Sequence, residues 1–290
     1  AADATRAGIG TFPFLLPDFM AARVYIPYDC RAARRAQEKA LKDAARLAGH
    51  PGILAFYVGD ESIDGGYRMD IHQRFYKDLK KAVPELPVVW LPTYGQSNRS
   101  AWTDAPTACD ILVHDDYVIQ KGRHLDMIRD MDRIIEWSGK NTFIECIGAH
   151  APTGEWEQTK QNLPTYEDLR FVIWASITTG ARGIIIYVQP IHRTLTRNPY
   201  VDSGAPDFPQ RLQKILLELE ELLPFLISDQ IPEDRTKVLS GQVRILEKVW
   251  NGQVLTMAVN IGNEAARIAY PDETEESLPH LGVALKVRNL

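Results

Sequence analysis

In this sequence, carboxylates, tyrosines and histidines recur where short apolar runs stop. Asp60 and Glu61 close the run ILAFYV at residues 53–58, and Tyr94 follows VVWLPT. His114, Asp115, Asp116 and Tyr117 close an ILV run, Glu145 lies near the end of TFIECI, and Tyr187, Gln189 and His192 surround the end of IIIYV. Fully apolar runs of this length read as strands covered on both faces, as in parallel sheets. The C-terminal ends of such strands carry the active site in parallel α/β folds, so these side chains are expected on one rim. Two carboxyl groups converging there can divide the duties of proton donor and nucleophile. With aromatic faces beside them, they meet the requirements for splitting a glycosidic bond.

Each of these residues also has a plainer reading. Glu61 can cap the next helix or meet an arginine. Glu145 sits inside its strand, where an unpaired carboxylate is costly to bury, so Arg182 or another cation is an alternative explanation for it. Strand alternation turns only one of Asp115 and Asp116 inward. His114 and His192 read as hydrogen-bonded polar residues rather than ligands. Trp90, Trp102, Trp137 and Trp174 read as core, whereas Trp156 follows Glu155 on a polar loop and is better placed to stack on a sugar ring. Cys146 reads as a small buried hydrophobe.

The elements that must position these residues alternate between short apolar runs and helical stripes, the signal for βα units. Ile9–Leu16 is the first strand, and Asp29 caps a helix over 31–48 that Gly49 stops. Ile53–Val58 follows, then a helix with Ile71, Phe75, Leu79 and Ala82 on one stripe. Strands at Val88–Leu91, Ile111–Val113, Thr142–Ile147 and Ile184–Val188 are separated by helices. One helix carries Leu125, Ile128, Ile134 and Ile135, and another is capped by Thr165 and Asp168 and stopped at Gly180. A last helix holds Leu212, Ile215, Leu216, Leu219, Leu222 and Leu223. After residue 228 the pattern changes, and Asn251-Gly252 between two alternating runs predicts a β-hairpin. The expected architecture is an α/β (β/α)8 barrel over 1–228 followed by a small antiparallel β domain over 229–290. About six βα units are visible where a closed barrel needs eight, which places the first two ahead of residue 1.

Composition narrows the classes. With 45% hydrophobic and 24% charged residues among 290, the chain is ordinary globular protein. A net charge of −5 gives no basic footprint, so no nucleic-acid partner is expected. No apolar run reaches membrane-spanning length. Cys30, Cys109 and Cys146 are too few and too scattered for a disulfide framework or a CxxC metal pair. The start lacks a charged-then-apolar leader, and a leader already removed would leave the same start, so secretion or a periplasmic address stays open. No cofactor and no metal are expected.

Three segments resemble a known family. HPGILAFYVGDES, residues 50–62, resembles the HPALLGWYLADEP-type segment of glycoside hydrolase barrels related to clan A. LPTYEDLRFVIWASITTGARGIIIYV, residues 163–188, resembles their PTPEELRAMAYLALAHGARGLLYY-type segment, and DILVHDDYVI is similar to the strand-ending segment between the two. The resemblance implies a (β/α)8 barrel in which IIIYV is the eighth strand, TFIECI the seventh and ILAFYV the fourth. It then implies that Glu61 is the acid/base and Glu145 the nucleophile of a retaining glycosidase acting on a poly- or oligosaccharide. Tyr117 would orient Glu145, Tyr187 and Trp156 would stack on sugar rings, and Asp60, Tyr94, Asp116 and Gln189 would line the substrate site. Asp60 departs from the asparagine that commonly precedes the clan's acid/base. The alternatives are a carbohydrate-binding barrel without turnover, or a metal-dependent sugar-processing barrel using His114, Asp115, Asp116 and Glu145.

Overall fold

The computed structural model describes residues 31–63, 68–93, 98–116, 122–139, 143–148, 164–187 and 207–290. The strand expected at Ile9–Leu16 and the cap expected at Asp29 lie outside these residues. The chain divides into two units, residues 1–115 with 132–145 and residues 116–131 with 146–290.

The first unit alternates helices and parallel strands. It contains α1 (Arg31–Ala48), β1 (Phe56–Tyr57), α2 (Met69–Ala82), β2 (Val88–Trp90), α3 (Arg99–Asp104) and β3 (Ile111–Asp115). It also includes the second half of α4 (His124–Ser138) and the start of β4 (Phe143–Gly148). Phe56 pairs with Val88 and Val89 with Ile111, both in parallel register. Val88, Val89, Trp90, Leu112 and Val113 are all at most 1% exposed, as strands covered on both faces must be. On α2, Ile71, Phe75 and Leu79 are buried at four-residue spacing. The stripe ends on buried Val83 rather than on the expected Ala82, which is exposed, because the chain leaves the helix there.

The ladder at β1 is shorter than the apolar run that announced it. Ile53 closes a turn on His50, and Leu54 is 53% exposed, so only the later part of the run enters the sheet. Trp137 also differs from its expected core position. It is half-buried, with the Arg99 guanidinium 5.6 Å above its ring. An amphipathic indole at the edge of the core gains from a cation on its face.

The second unit holds α5 (Tyr166–Thr179), β5 (Ala181–Tyr187) and α6 (Phe208–Leu226), followed by six antiparallel strands. These are β6 (Lys237–Ser240), β7 (Val243–Trp250), β8 (Gln253–Asn260), β9 (Ala266–Ala269), β10 (Glu275–Leu278) and β11 (Val283–Asn289). The described strands form a parallel sheet ordered β1-β2-β3-β4-β5 and two three-stranded sheets, β10-β9-β6 and β11-β8-β7. This is part of a (β/α) barrel followed by small antiparallel sheets. Ala258, Ile268, Tyr270, Leu278 and Ala284 form the core of the antiparallel region. The β7–β8 turn is the predicted Asn251-Gly252 hairpin, with φ of +49° and +73°. Two left-handed central residues make the tight turn whose twist suits a hairpin.

Local signals explain α5. Thr165 accepts from the Asp168 N–H while the Asp168 carboxylate accepts from the Thr165 N–H, the complete capping box. Gly180 ends the helix with φ +121°. The helix is apolar around its circumference because β5, α6, β7, β8 and β11 all pack on it. Two apolar expectations are met only in part. The isoleucines of β5 are half-buried, since β5 is the last strand of the described sheet. Leu216 and Leu223 of α6 are 53% and 50% exposed, because α5 and β7 cover a face of α6 narrower than its leucine pattern.

Candidate active site

The loop that carries Glu61 is built on Trp90. Gly59 follows β1 so closely beside this indole that a Cβ at Gly59 would lie 2.6 Å from Trp90 Nε1. Only glycine allows that approach. Leu91 N–H donates to Gly59 O at 3.2 Å, holding the backbone just before the carboxylates. Just after them, Trp90 Nε1 donates to Ser62 Oγ at 3.0 Å, and Ile63 N–H donates to Pro92 O at 2.9 Å. His72 stacks on the same indole, its ring 4.3 Å from that of Trp90 and tilted by 25°.

Asp60 and Glu61 are thus suspended between two fixed points. Glu61 has φ +44°, a left-handed conformation that costs a non-glycine residue about 1–2 kcal/mol. Such strain persists only where surrounding contacts over-determine the backbone, and it concentrates at functional positions. Glu61 is half-buried. Asp60 is exposed, and its Oδ1 accepts from Tyr57 Oη at 2.9 Å.

Glu145 stands in a different environment. Every residue of β4 is buried, and Glu145 itself is 0% exposed. Its Oε2 lies 2.7 Å from Nδ1 of His114, which is also 0% exposed. β3 and β4 are neighbours in the sheet, so the two side chains meet across adjacent strands. The indole of Trp102 backs the imidazole at 6.1 Å with a tilt of 58°. The partner weighed for Glu145 from the sequence was Arg182 or another cation, and among the described residues His114 is one partner. The period-two pattern of β4 puts Phe143, Glu145 and Ile147 on one face, with Ile144 and Cys146 on the other.

Asp115 and Asp116 are 1% and 5% exposed, so burial does not separate them as alternation suggested. Tyr187, the last residue of β5, is 39% exposed. Tyr94, Tyr117, Trp156, Gln189 and His192 lie outside the described residues. Among the described residues, no group of three or more His, Cys, Asp or Glu side chains could hold a metal ion, and no helix is long and apolar enough to cross a membrane.

With this geometry in hand, solved structures place the fold. The chain is similar to the alpha-amylase from Geobacillus thermoleovorans in its acarbose complex, with TM-score 0.50 and 11% identity over 90% of this chain and 65% of that one. It is similar to Eubacterium rectale Amy13B, with TM-score 0.51 and 11% identity over 91% of this chain and 64% of that one. It is also similar to the alpha-amylase from H. orenii, with TM-score 0.50 and 9% identity over 88% and 64%. The fold is therefore that of the (β/α)8-barrel glycoside hydrolases, and the chain spans just under two thirds of the length of these relatives in structure. No family model matches the sequence, and no curated protein matches it.

Proposed function

We propose that the chain carries the catalytic centre of a retaining glycosidase acting on a poly- or oligosaccharide. In this reading Glu61 is the acid/base and Glu145 the nucleophile, residues 1–228 form the catalytic barrel and 229–290 an accessory domain. The Glu145 carboxylate attacks the anomeric carbon, the glycosidic C–O bond breaks, and Glu61 gives its proton to the departing oxygen. Water then attacks the same carbon, Glu61 takes back a proton, and the ester bond to Glu145 breaks. Asp60, Tyr94, Asp116 and Gln189 line the site, Tyr117 orients Glu145, and Tyr187 and Trp156 carry sugar rings.

The observation that supports this most is the placement of one glutamate in the loop after β1 and of another on β4 of the same parallel sheet, in a fold used by alpha-amylases. Glu61 is held in a strained loop after β1, and Glu145 is fixed on β4. One of these relatives in structure binds acarbose, which favours a carbohydrate substrate.

The test is a panel of aryl glycosides and polysaccharides, with product anomers followed by NMR. Retention is expected, accompanied by a carboxyl separation of about 5–5.5 Å. Glu61→Gln and Glu145→Gln should each lower kcat/KM by about 10³-fold or more while the folded state persists. Unchanged hydrolysis in both variants overturns the assignment.

A second reading has its own support. Glu145 is 0% exposed and engaged by His114, as a structural carboxylate would be. A carbohydrate-binding barrel without turnover would bind sugars, hydrolyse none, and keep its affinity in Glu61→Gln.

A further inference from the structure

We propose that the outer face of α1 is a docking surface for an acidic polysaccharide, a polymer that carries a carboxylate on its sugar rings. The choice of a polysaccharide among polyanions rests on the glycosidase reading; the cationic surface itself does not.

The net charge of −5 conceals how unevenly the basic residues are spread. α1 holds six of the chain's 33 lysines and arginines and two of its 38 aspartates and glutamates, which leaves 27 basic residues against 36 acidic ones elsewhere. The helix packs against α2, and its Gln37 Nε2 donates to Asp78 of α2 at 2.5 Å. Ala40 and Ala44, on the same side by helical spacing, are buried. On the opposite side Arg31, Arg35, Lys42 and Arg46 fall within about 60° of one another, with Arg34 and Lys39 flanking them. All six are exposed. The row runs for about 22 Å along the helix axis.

The stability of the helix does not call for this row. Arg31 with Arg35, Arg35 with Lys39, and Lys42 with Arg46 set like charges four residues apart, which weakens a helix. Arg31 and Arg34 stand in a first turn with no acidic residue, where the macrodipole is already positive. The two acidic residues of α1 offset only part of this. Asp43 takes Lys39 at 3.1 Å and Arg46 at 3.4 Å along one edge, and Glu38 lies within the row. A bound polyanion relieves the remaining repulsion.

The chemistry of the row selects a carboxylated sugar chain. Four of the six cations are arginines, whose planar fork meets a carboxylate through two parallel hydrogen bonds. α1 has no aromatic side chain on which a base could stack, the contact that single-stranded nucleic acids use. Duplex DNA brings one charge per about 1.7 Å of its axis, and the acidic remainder of the chain repels whatever extends past the row. A polymer with at most one charge per sugar ring meets less of that repulsion.

The experiment measures binding of the full chain to immobilised polygalacturonate, with dextran as the neutral polymer. Polygalacturonate should bind and dextran should not compete. Affinity should fall steeply between about 50 and 300 mM NaCl, as the screening length shortens. Arg31→Gln, Arg35→Gln, Lys42→Gln and Arg46→Gln combined should weaken Kd by about 10-fold or more, a modest share for each exposed contact. Glutamine is a good helix former, so an unchanged circular dichroism spectrum and melt are expected. Lys77→Gln, Arg129→Gln, Lys237→Gln and Arg267→Gln combined remove as many exposed charges from other surfaces and should leave Kd nearly unchanged.

Three results overturn the proposal: no binding of polygalacturonate, equal losses in the two fourfold variants, or tighter binding of an oligoribonucleotide through the same row. Glu145→Gln separates these failures from that of the glycosidase reading, since it should bind polygalacturonate as the unaltered chain does. If binding depends on the row while no glycoside is hydrolysed, the docking surface stands and the catalytic assignment falls. If neutral glycosides are hydrolysed through Glu61 and Glu145 while polygalacturonate is ignored, only the docking surface falls.

Discussion

At Gly59 the absence of a side chain decides how the candidate acid/base is presented. A methyl group there would meet Trp90 at 2.6–2.7 Å, and Trp90 is fully buried and cannot retreat. Gly59→Ala is expected to cost roughly 1–3 kcal/mol in denaturant unfolding, the range for overpacking a tight interior. It should also lower glycosidase activity more than stability loss explains, because the displaced segment leads directly into Glu61. His72, below the same indole, gives a second expectation. Burial lowers its pKa from 6.5 to about 3. Below pH 6.5 the unfolded chain takes up a proton that the folded chain refuses. The stability that His72 contributes is therefore complete above pH 6.5 and is lost as pH falls toward 3, at up to about 1.4 kcal/mol per pH unit. Thermal melts of His72→Leu should show a flatter acid limb between pH 6 and pH 4, and an unchanged slope there would refute this account. That Glu61 follows a strand was legible in the sequence, because polar residues closing a fully apolar run mark where it leaves the sheet. The bond between His114 and Glu145 was not, since 31 residues separate them and their meeting depends on how two parallel strands align in height.

Elements whose boundaries are set by local chemistry were the readable ones. The capping box of α5, its glycine stop and the Asn251-Gly252 turn each depend on residues within a few positions of one another. Thr165→Ala should cost about 1 kcal/mol in equilibrium unfolding, the usual worth of an N-cap hydroxyl. Asp168 carries more than its share of this cap. Burial alone would raise its pKa, but His124 Nε2 at 2.8 Å and the Thr165 hydroxyl and N–H outweigh that and bring it down to about 2. Its contribution is therefore present above pH 4 and is lost as pH falls from about 4 to 2, a window that overlaps only the lower end of that of His72. What stayed illegible was how far each apolar stripe is covered. The run at residues 53–58 and the leucine pattern of α6 are apolar, yet Leu54, Leu216 and Leu223 are exposed. Coverage is decided by neighbouring elements, which one segment's pattern does not name.

On the scale of the molecule, the second unit is tied together by a charged side chain rather than by apolar contact alone. Arg170 on α5 donates through Nε to both oxygens of Glu218 on α6, at 3.0 Å each, and through Nη1 to the Val283 carbonyl of β11 at 3.0 Å. Trp174 adds a bond to Glu218 at 2.6 Å. One guanidinium thus links two helices to the antiparallel sheets, which favours their unfolding as a single cooperative body. Arg170→Ala should lower stability by about 1–3 kcal/mol, since it leaves Glu218 and a carbonyl short of a donor. Hydrogen exchange should show β11 and α6 losing protection together, and loss confined to either one would argue against the coupling. The fold class was legible from the alternation of runs and from the GARG-preceded strand. The alternation repeats along the chain and survives local errors. The arrangement of the terminal sheets on α5 was not, because it depends on contacts such as that of Arg170 with Val283, across 113 residues.

The alternation of β4 has one more consequence. Cys146 follows Glu145 on the opposite face of the strand and is 6% exposed, so its thiol is a built-in reporter adjacent to the candidate nucleophile. A thiol reagent can reach it only when β4 opens, so the rate of labelling at that peptide, mapped by mass spectrometry, is a clock for the breathing of the strand. Saturating sugar should slow that clock if the ligand is held over β4, giving a binding assay that needs neither turnover nor a chromophore.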